Sequence, residues 1–144
     1  MEFYPNLTPR QVIMAEDKAE ELFKQLKAIN MANAKEELLG MLERVGGVIK
    51  CATVRRDIGY WDDADAYIAE GPFLLKEGHT PAEYEEFLAK LDFKYDSGYG
   101  MQEVDGTVWL VEEGTWLERG EYDGSEWWAY RVCPQIPSDL KSGL

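Results

Sequence analysis

Residues 115–133 have the sequence TWLERGEYDGSEWWAYRVC, and this stretch predicts an antiparallel hairpin. Asp123-Gly124 is a strong signal for a two-residue type I′ turn, because both central positions of that turn need positive φ angles. Apolar and polar residues alternate around it, as they do in half-buried strands. A third strand over residues 107–112, joined through a second tight turn at Glu113-Gly114, completes a predicted three-stranded meander.

The two turns also predict which side chains share a sheet face. Two-residue turns would place Leu117 opposite Tyr130, Arg119 opposite Trp128, and Leu110 opposite Leu117. One face then carries Val108, Leu110, Leu117, Trp128, Tyr130 and Val132. The other face carries Trp109, Val111, Trp116, Tyr122 and Trp127. A one-residue bulge in the second turn would invert the first strand, but both faces are apolar in either register.

Residues 1–47 predict a helical hairpin. Thr8-Pro9-Arg10-Gln11 forms a capping box. Apolar residues then recur at steps of three and four, as in an amphipathic helix: Val12, Ala15, Ala19, Leu22, Phe23, Leu26 and Ile29. A short break over residues 30–33 precedes a second predicted helix. This helix begins near Asn33 and ends at Gly46-Gly47. One long kinked helix is the alternative.

The middle of the chain predicts one strand and one helix. Residues 48–56 are rich in β-branched side chains and predict a strand. Thr80-Pro81-Ala82-Glu83 is a capping box, followed by Tyr84, Phe87, Leu88 and Leu91 on one helix side. Residues 61–68 fit a short helix or a structured loop. Helices first and a meander last predict one α+β domain over residues 1–144, divided into a helical part (1–47), a mixed acidic part (48–105), the meander (106–133) and a tail (134–144).

The chain is strongly acidic. It has 28 acidic residues against 15 basic ones, a net charge of −13 and a sequence pI of about 4.4. Most of this charge lies in residues 57–105, with thirteen acids and three bases. The balance excludes a sequence-independent nucleic-acid binder and disfavours docking on anionic membranes. The sequence contains neither a transmembrane-length apolar run nor a signal-peptide pattern, so we expect a cytoplasmic protein.

Cysteine and histidine usage argues against a metal or redox centre. Cys51 and Cys133 form no CxxC motif and are expected to be buried, reduced and unbridged. His79 is the single histidine, which excludes a two-histidine metal site within one chain, and we expect it to be a loop or capping residue. No glycine pattern matches a phosphate-binding loop. We therefore expect no cofactor and no metal.

The densest acidic cluster comprises Asp62, Asp63, Asp65 and Glu70. An EF-hand loop that began at Asp63 would need an oxygen ligand and then a glycine where the chain has Tyr67-Ile68, so this motif is rejected. The remaining interpretations are a solvated surface, a patch that binds a basic protein surface, or a cation site. These four acids are candidate partner-binding residues.

The tryptophans of the meander are the second candidate. Trp109, Trp116, Trp127 and Trp128 cannot all lie on one sheet face. Those on the second face would be covered by another part of the chain, by a second copy, or by a partner. Tryptophan is enriched at interface hot spots, so Trp109, Trp116 and Trp127 are candidate partner-binding residues. A base-stacking platform is disfavoured because basic residues are too few to follow a nucleic-acid backbone.

Three stretches carry a resemblance to a known group of proteins. DFKYDSGYG (92–100), GTVW (106–109) and TWLERGEYDGSEWW (115–128) resemble the C-terminal part of small acidic proteins of tailed bacteriophages and prophages. The resemblance covers about the last third of the chain and carries no catalytic residue. It implies a bacterial host cytoplasm during infection, where such proteins are often inhibitors of host enzymes or defence systems, some of them DNA mimics.

The leading hypothesis is a non-enzymatic interaction protein, a phage inhibitor of a host nucleic-acid-handling or defence complex. Its acidic middle third would bind a host protein with a basic surface, with no direct nucleic-acid or membrane contact and with homodimer formation left open. One alternative is a small hydrolase or transferase that uses carboxylates, whose sign would be a pocket with two carboxylates of raised pKa. The other is a virion or assembly protein.

Overall fold

The computed structural model describes residues 17–22, 31–60, 63–98 and 100–143, with the backbone alone for 59–60 and 63–68. Residues 17–22 are helical, in agreement with the N-terminal periodicity. The rest of the predicted first helix, its capping box and Asp62 lie outside the described residues. The predicted helical hairpin is therefore not established.

After the helical residues 17–22, two further helices and seven strands follow in chain order within the described residues. They are strand β1 (Met31–Asn33), helix α1 (Ala34–Val45), strands β2 (Ile49–Tyr60) and β3 (Asp63–Leu75), helix α2 (Pro81–Lys90), and strands β4 (Lys94–Asp96), β5 (Val104–Leu110), β6 (Thr115–Tyr122) and β7 (Ser125–Val132). A short 3₁₀ turn, Ser138–Leu140, follows. The fold is α+β, as predicted. None of the helices in these residues is long and apolar enough to cross a membrane.

The main sheet has five antiparallel strands in the order β3-β2-β5-β6-β7, and β1 pairs with β4 in a separate small sheet. The φ angles of Asp123 (49°) and Gly124 (85°) confirm the predicted type I′ turn between β6 and β7. Leu117 lies opposite Tyr130, and Arg119 lies opposite Trp128, as predicted.

The loop between β5 and β6 is wider than predicted. A loop over residues 111–114 replaces the two-residue turn, and Val108 rather than Leu110 lies opposite Leu117. Thr115 closes this loop, because its amide and its hydroxyl both donate to the carbonyl oxygen of Glu112, at 3.2 and 2.6 Å. The observed register between β5 and β6 differs from the predicted one by two residues. Because side chains alternate between the faces with a period of two, every side chain keeps its predicted face.

The core lies between the two helices and one face of the main sheet. Helix α1 buries Leu38 and Leu42, and α2 buries Phe87 and Leu88. The sheet contributes buried apolar residues from all five strands: Ile49, Ala52, Val54, Leu75, Val104, Val108, Leu110, Leu117 and Trp128. This face is the one that the alternation in the meander predicts.

The ends of α1 agree with the sequence signals. The side chain of Asn33 accepts from the amide of Glu36, and Gly46 ends the helix with a φ of 65°. The predicted break before this helix is instead strand β1, because Ala32 pairs with Tyr95 of β4.

Two further local predictions are wrong. Residues 63–68, predicted as a helix or loop, lie in β3, because they pair with the outer half of β2. Cys51 is half-buried and Cys133 is exposed, although both were predicted to be buried. Both cysteines are free thiols, as expected.

We expect Thr80→Ala to lower the free energy of unfolding by about 1 kcal/mol, because it removes a helix cap. The Thr80 hydroxyl accepts from the amide of Glu83, and the Glu83 carboxylate accepts from the amide of Thr80, each at 3.1 Å. The bond from the Thr80 amide to the Glu83 carboxylate, together with a side-chain hydrogen bond of Thr80, holds the pKa of Glu83 below its ordinary value. Their stabilising effect is therefore present at neutral pH and is lost as the pH falls through the pKa of Glu83 in the folded protein.

Urea unfolding and an NMR titration of the Glu83 carboxyl group check this prediction. In Thr80→Ala the pKa of Glu83 should rise part of the way toward its ordinary value, because the side-chain hydrogen bond is lost while the bond from the backbone amide of residue 80 remains. Glu85→Gln, on the next turn of the exposed helix surface, is the control and should leave the Glu83 titration unchanged. A Thr80→Ala protein with the wild-type titration would show that the cap does not act on Glu83.

Candidate functional site

Strands β2 and β3 extend beyond the part of the sheet that β5 joins. β5 pairs with β2 as far as Arg56 opposite Val104. Farther out, β2 and β3 pair with each other as far as Tyr60 opposite Asp63, and no other described strand joins them there. We call residues 57–60 and 63–70 of this two-stranded ribbon the acidic arm.

The acidic arm contains three of the four predicted acidic site residues. Asp63 and Asp65 lie in the backbone of β3, and Glu70 lies nearer the body of the sheet. Asp62, the fourth, is outside the described residues. From residue 57 to residue 75 the sequence contains no lysine or arginine, so the outer part of the ribbon has acids without compensating bases of its own.

Two arginines at the base of the arm offset part of its charge. The Nε and Nη2 atoms of Arg55 donate to one carboxylate oxygen of Asp57, at 2.9 and 2.7 Å. The Nη1 atom of Arg56 lies 4.0 Å from the carboxylate of Glu70, and its guanidinium lies 4.1 Å from the centre of the Phe93 ring. These contacts place positive charge where the arm leaves the sheet.

Trp109, Trp116 and Trp127 lie on the sheet face opposite the helices, which we call the tryptophan face. Trp109 pairs across strands with Trp116. Trp127 lies opposite Gly120, and its ring covers that glycine so closely that a Cβ there would come within 2.7 Å of ring atoms. Trp109 and Trp127 are each 44% exposed, whereas Trp128 is buried in the core. The predicted separation of the tryptophans between two faces is confirmed.

The structure places the two predicted groups of site residues apart. The acidic arm is formed by the edge strand β3 and the outer half of β2, whereas the three tryptophans lie on β5, β6 and β7. They are two separate surfaces rather than one combined site.

A buried ion-pair cluster, which the sequence analysis missed, joins α1 to the main sheet. The side chain of Arg119 is fully buried. It donates to the carboxylates of Glu37, at 2.5 Å, and Glu126, at 2.6 Å. It also donates to the hydroxyl of Tyr95, at 2.9 Å, and to the carbonyl of Val104, at 3.2 Å. The signal in the sequence was the alternation of β6, which places Arg119 on the core face.

Both carboxylate oxygens of Glu126 are occupied in this cluster. One accepts from the amide of Val104, at 3.0 Å, and the other from the amide of Glu103, at 2.8 Å. Burial raises the pKa of Glu126, while the two amides and Arg119 act in the opposite direction. Burial likewise raises the pKa of Glu103 and of Tyr95. The cluster therefore has the geometry of a structural ion pair.

A cavity of about 640 Å³ lies between the end of α1 and the start of α2, lined in part by Leu42, Val48, His79 and Tyr84. The His79 ring stacks on Tyr84, with the ring centres 5.9 Å apart, and its Nδ1 donates to the carbonyl of Lys76 at 2.9 Å. Within the described part of the chain, no group of three His, Cys, Asp or Glu side chains could hold a metal ion.

Family models, curated proteins and solved structures give no match to this chain. The fold and the surfaces define an α+β protein with an acidic ribbon at one edge of its main sheet. Exposed tryptophan side chains lie on the face of that sheet opposite the helices.

Proposed function

We propose that this chain is a non-enzymatic interaction protein that binds a basic surface of a host protein, as a bacteriophage inhibitor of a nucleic-acid-handling or defence complex. The observation that carries this proposal is the acidic arm, a run of acids without a base on a ribbon beyond the body of the sheet. The resemblance of the C-terminal third to small acidic phage proteins supports the phage context.

A paired ribbon suits this role for two reasons. Its backbone is already hydrogen-bonded, so binding costs less conformational entropy than the ordering of a free loop would. Carboxylates along it can occupy a channel that otherwise holds phosphates, since the lysines and arginines of such a channel respond to negative charge. The net charge of −13 would also accelerate encounter with a basic partner.

The tryptophan face is the second candidate surface for the same partner. The exposure of Trp109 and Trp127 supports it, because exposed indoles contribute strongly to protein interfaces when a partner covers them.

The raised pKa values of Glu103 and Glu126 are one sign expected of the enzymatic alternative. Both oxygens of Glu126 are bonded within the cluster, and its side chain is fully buried. A substrate could not reach this carboxylate, and its burial accounts for the raised pKa of Glu126.

Capture from bacterial lysate on the immobilised chain tests the proposal. We expect nucleic-acid-binding proteins to be retained at about 50 mM salt and released at about 500 mM, where the Debye length is a few ångströms. The variant with Asp62, Asp63 and Asp65 changed to lysine should retain them at least about tenfold less, because each attraction becomes a repulsion. Circular dichroism of this variant should match that of the wild type.

A matched variant separates the arm from net charge. Changing the exposed Glu85, Glu86 and Glu113 to lysine alters the charge equally on other parts of the surface, and it should retain the same proteins as the wild type. Equal losses in both variants would mean that only net charge matters. Unchanged capture by a folded arm variant would exclude the arm, and Trp109→Ala would then test the tryptophan face.

A further inference from the structure

Strand β7 is an edge of the main sheet. The amide of Glu126 points away from β6 and donates to the carbonyl oxygen of Ser97 at 2.9 Å. The amide of Cys133 points toward β6 and donates at 2.7 Å to the carbonyl oxygen of Gly114, the residue immediately before β6. Because amide directions alternate along a strand, the amides and carbonyls of Trp128 and Tyr130 point away from β6. Within the described residues, no backbone group pairs with them there.

Ser97 covers this edge at Glu126. From Trp127 onward, the described residues show none of the features that normally prevent strand addition, which are lysines, prolines, bulges or a covering element. β7 pairs with β6 without a bulge along its full length. Residues 127–132 contain no lysine or proline. Tyr130 and Val132 are 37% and 57% exposed. The edge is therefore apolar, regular and open to a further strand.

Helix α1 lies beside this edge. Glu36, Gly40 and Arg44 recur every four residues along one exposed face of the helix, and they line a cavity of about 320 Å³ together with Trp127 and Trp128. No described residue forms an ion pair with Glu36 or Arg44. A Cβ at Gly40 would have no atom within 4 Å.

We propose that two copies of this chain form a dimer by antiparallel pairing of β7 with β7, about a two-fold axis at Ala129. In this register Trp128 lies opposite Tyr130 of the second copy, and the two residues exchange both backbone hydrogen bonds. On the other face, Trp127 lies opposite Arg131 of the second copy, a pairing suited to a cation–π contact. Ala129, a small residue, occupies the centre.

The same axis makes the α1 surface self-complementary. A two-fold axis perpendicular to the sheet keeps both α1 helices on one side of it and runs them antiparallel. Gly40 then faces Gly40 of the second copy. Glu36 of each copy faces Arg44 of the other copy, which gives two equivalent contacts. Glycine permits close approach of the two helices, and the opposite charges attract each other. This contact between the two α1 helices, which we call the seam, has equal numbers of positive and negative charges, in contrast to the acidic chain as a whole.

Light scattering coupled to size exclusion, over a concentration series of the full chain, measures the association. We expect a mass twice that of the 16.5 kDa chain. Glu36→Arg and Arg44→Glu should each weaken the dimer about tenfold or more, because two attractions become repulsions. A mixture of these two variants should restore it, because each supplies the charge that the other needs. Glu43→Arg, an equal charge change away from the seam, should leave the dimer intact.

Two further measurements localise the contact. Gly40→Lys has room in the monomer and should abolish the dimer while circular dichroism remains that of the wild type. Hydrogen exchange should be slow for the amides of Trp128 and Tyr130 in the dimer and fast in Gly40→Lys. The proposal is overturned by a monomer at every concentration, by a dimer insensitive to both charge variants, or by a dimer in which these two amides exchange rapidly.

Discussion

Arg119→Met is expected to lower the free energy of unfolding by about 3–5 kcal/mol, because it leaves a buried carboxylate without its cation. The side chains of Arg119 and Glu126 are both fully buried, 2.6 Å apart. The substitution also removes the donor that Glu37 and the Tyr95 hydroxyl share. Methionine has a similar length, so loss of the charge rather than of volume dominates.

The effect of this variant should depend on pH. Without Arg119 the pKa of Glu126 rises further in the folded protein, while in the unfolded chain it stays near its ordinary value of about 4.3. Between these two pKa values the folded state holds a proton that the unfolded state has released. The stability of Arg119→Met therefore falls as the pH rises through this interval, so the variant should be less destabilised at acidic pH than at neutral pH.

Urea unfolding at acidic and neutral pH measures both effects. Lys50→Met is the control, because Lys50 forms an exposed pair with Glu77 at 3.2 Å and its loss should cost no more than about 1 kcal/mol. Adding Glu126→Gln to Arg119→Met should recover part of the loss, since no buried charge then remains unpaired. If Arg119→Met were as stable as Lys50→Met, the buried cluster would not contribute as its geometry indicates.

Gly106→Ala is expected to lower the free energy of unfolding by about 3 kcal/mol or more, a large effect of backbone origin. A Cβ at Gly106 would lie 2.3 Å from the carbonyl oxygen of Thr53 and 2.8 Å from the Cα of Val54. Both atoms belong to the backbone of β2, directly opposite β5. They can move away only if the two central strands of the sheet separate.

Gly143→Ala is the matched control for this variant. It adds the same methyl group at an exposed position with no atom within 4 Å. Thermal unfolding followed by circular dichroism should show a much lower midpoint for Gly106→Ala and none of this loss for Gly143→Ala. Equal midpoints for Gly106→Ala and the wild type would mean that β2 and β5 tolerate a wider spacing.

The C-terminal hairpin could be predicted because its signals are local. Asp123-Gly124 specifies its own turn, and the alternation on either side assigns the faces. Residues 63–68 could not be predicted in the same way. Aspartate and alanine are poor strand formers, and the segment is a strand because the outer half of β2 supplies its hydrogen bonds. The wider loop between β5 and β6 was missed because its closure depends on the side chain of Thr115.

The candidate surfaces were predictable to different degrees. A period of two was sufficient to separate Trp109, Trp116 and Trp127 from Trp128. Composition identified the acidic cluster, but its position on a ribbon depends on where β5 stops pairing with β2, which no local pattern shows. The alternation of β6 placed Arg119 inward, yet its partner Glu37 lies 82 positions away in the chain. Contacts of that range cannot be read from spacing.

That separation has a consequence for folding kinetics. The cluster joins Glu37 to Tyr95, 58 positions apart, and to Arg119, so long segments must already be ordered before it can close. Proteins rich in such non-local pairings fold slowly, on millisecond to second timescales. Contacts that form after the folding transition state affect mainly the rate of unfolding. We therefore expect the cluster to form late in folding, so that it slows unfolding of the native state and does not speed folding.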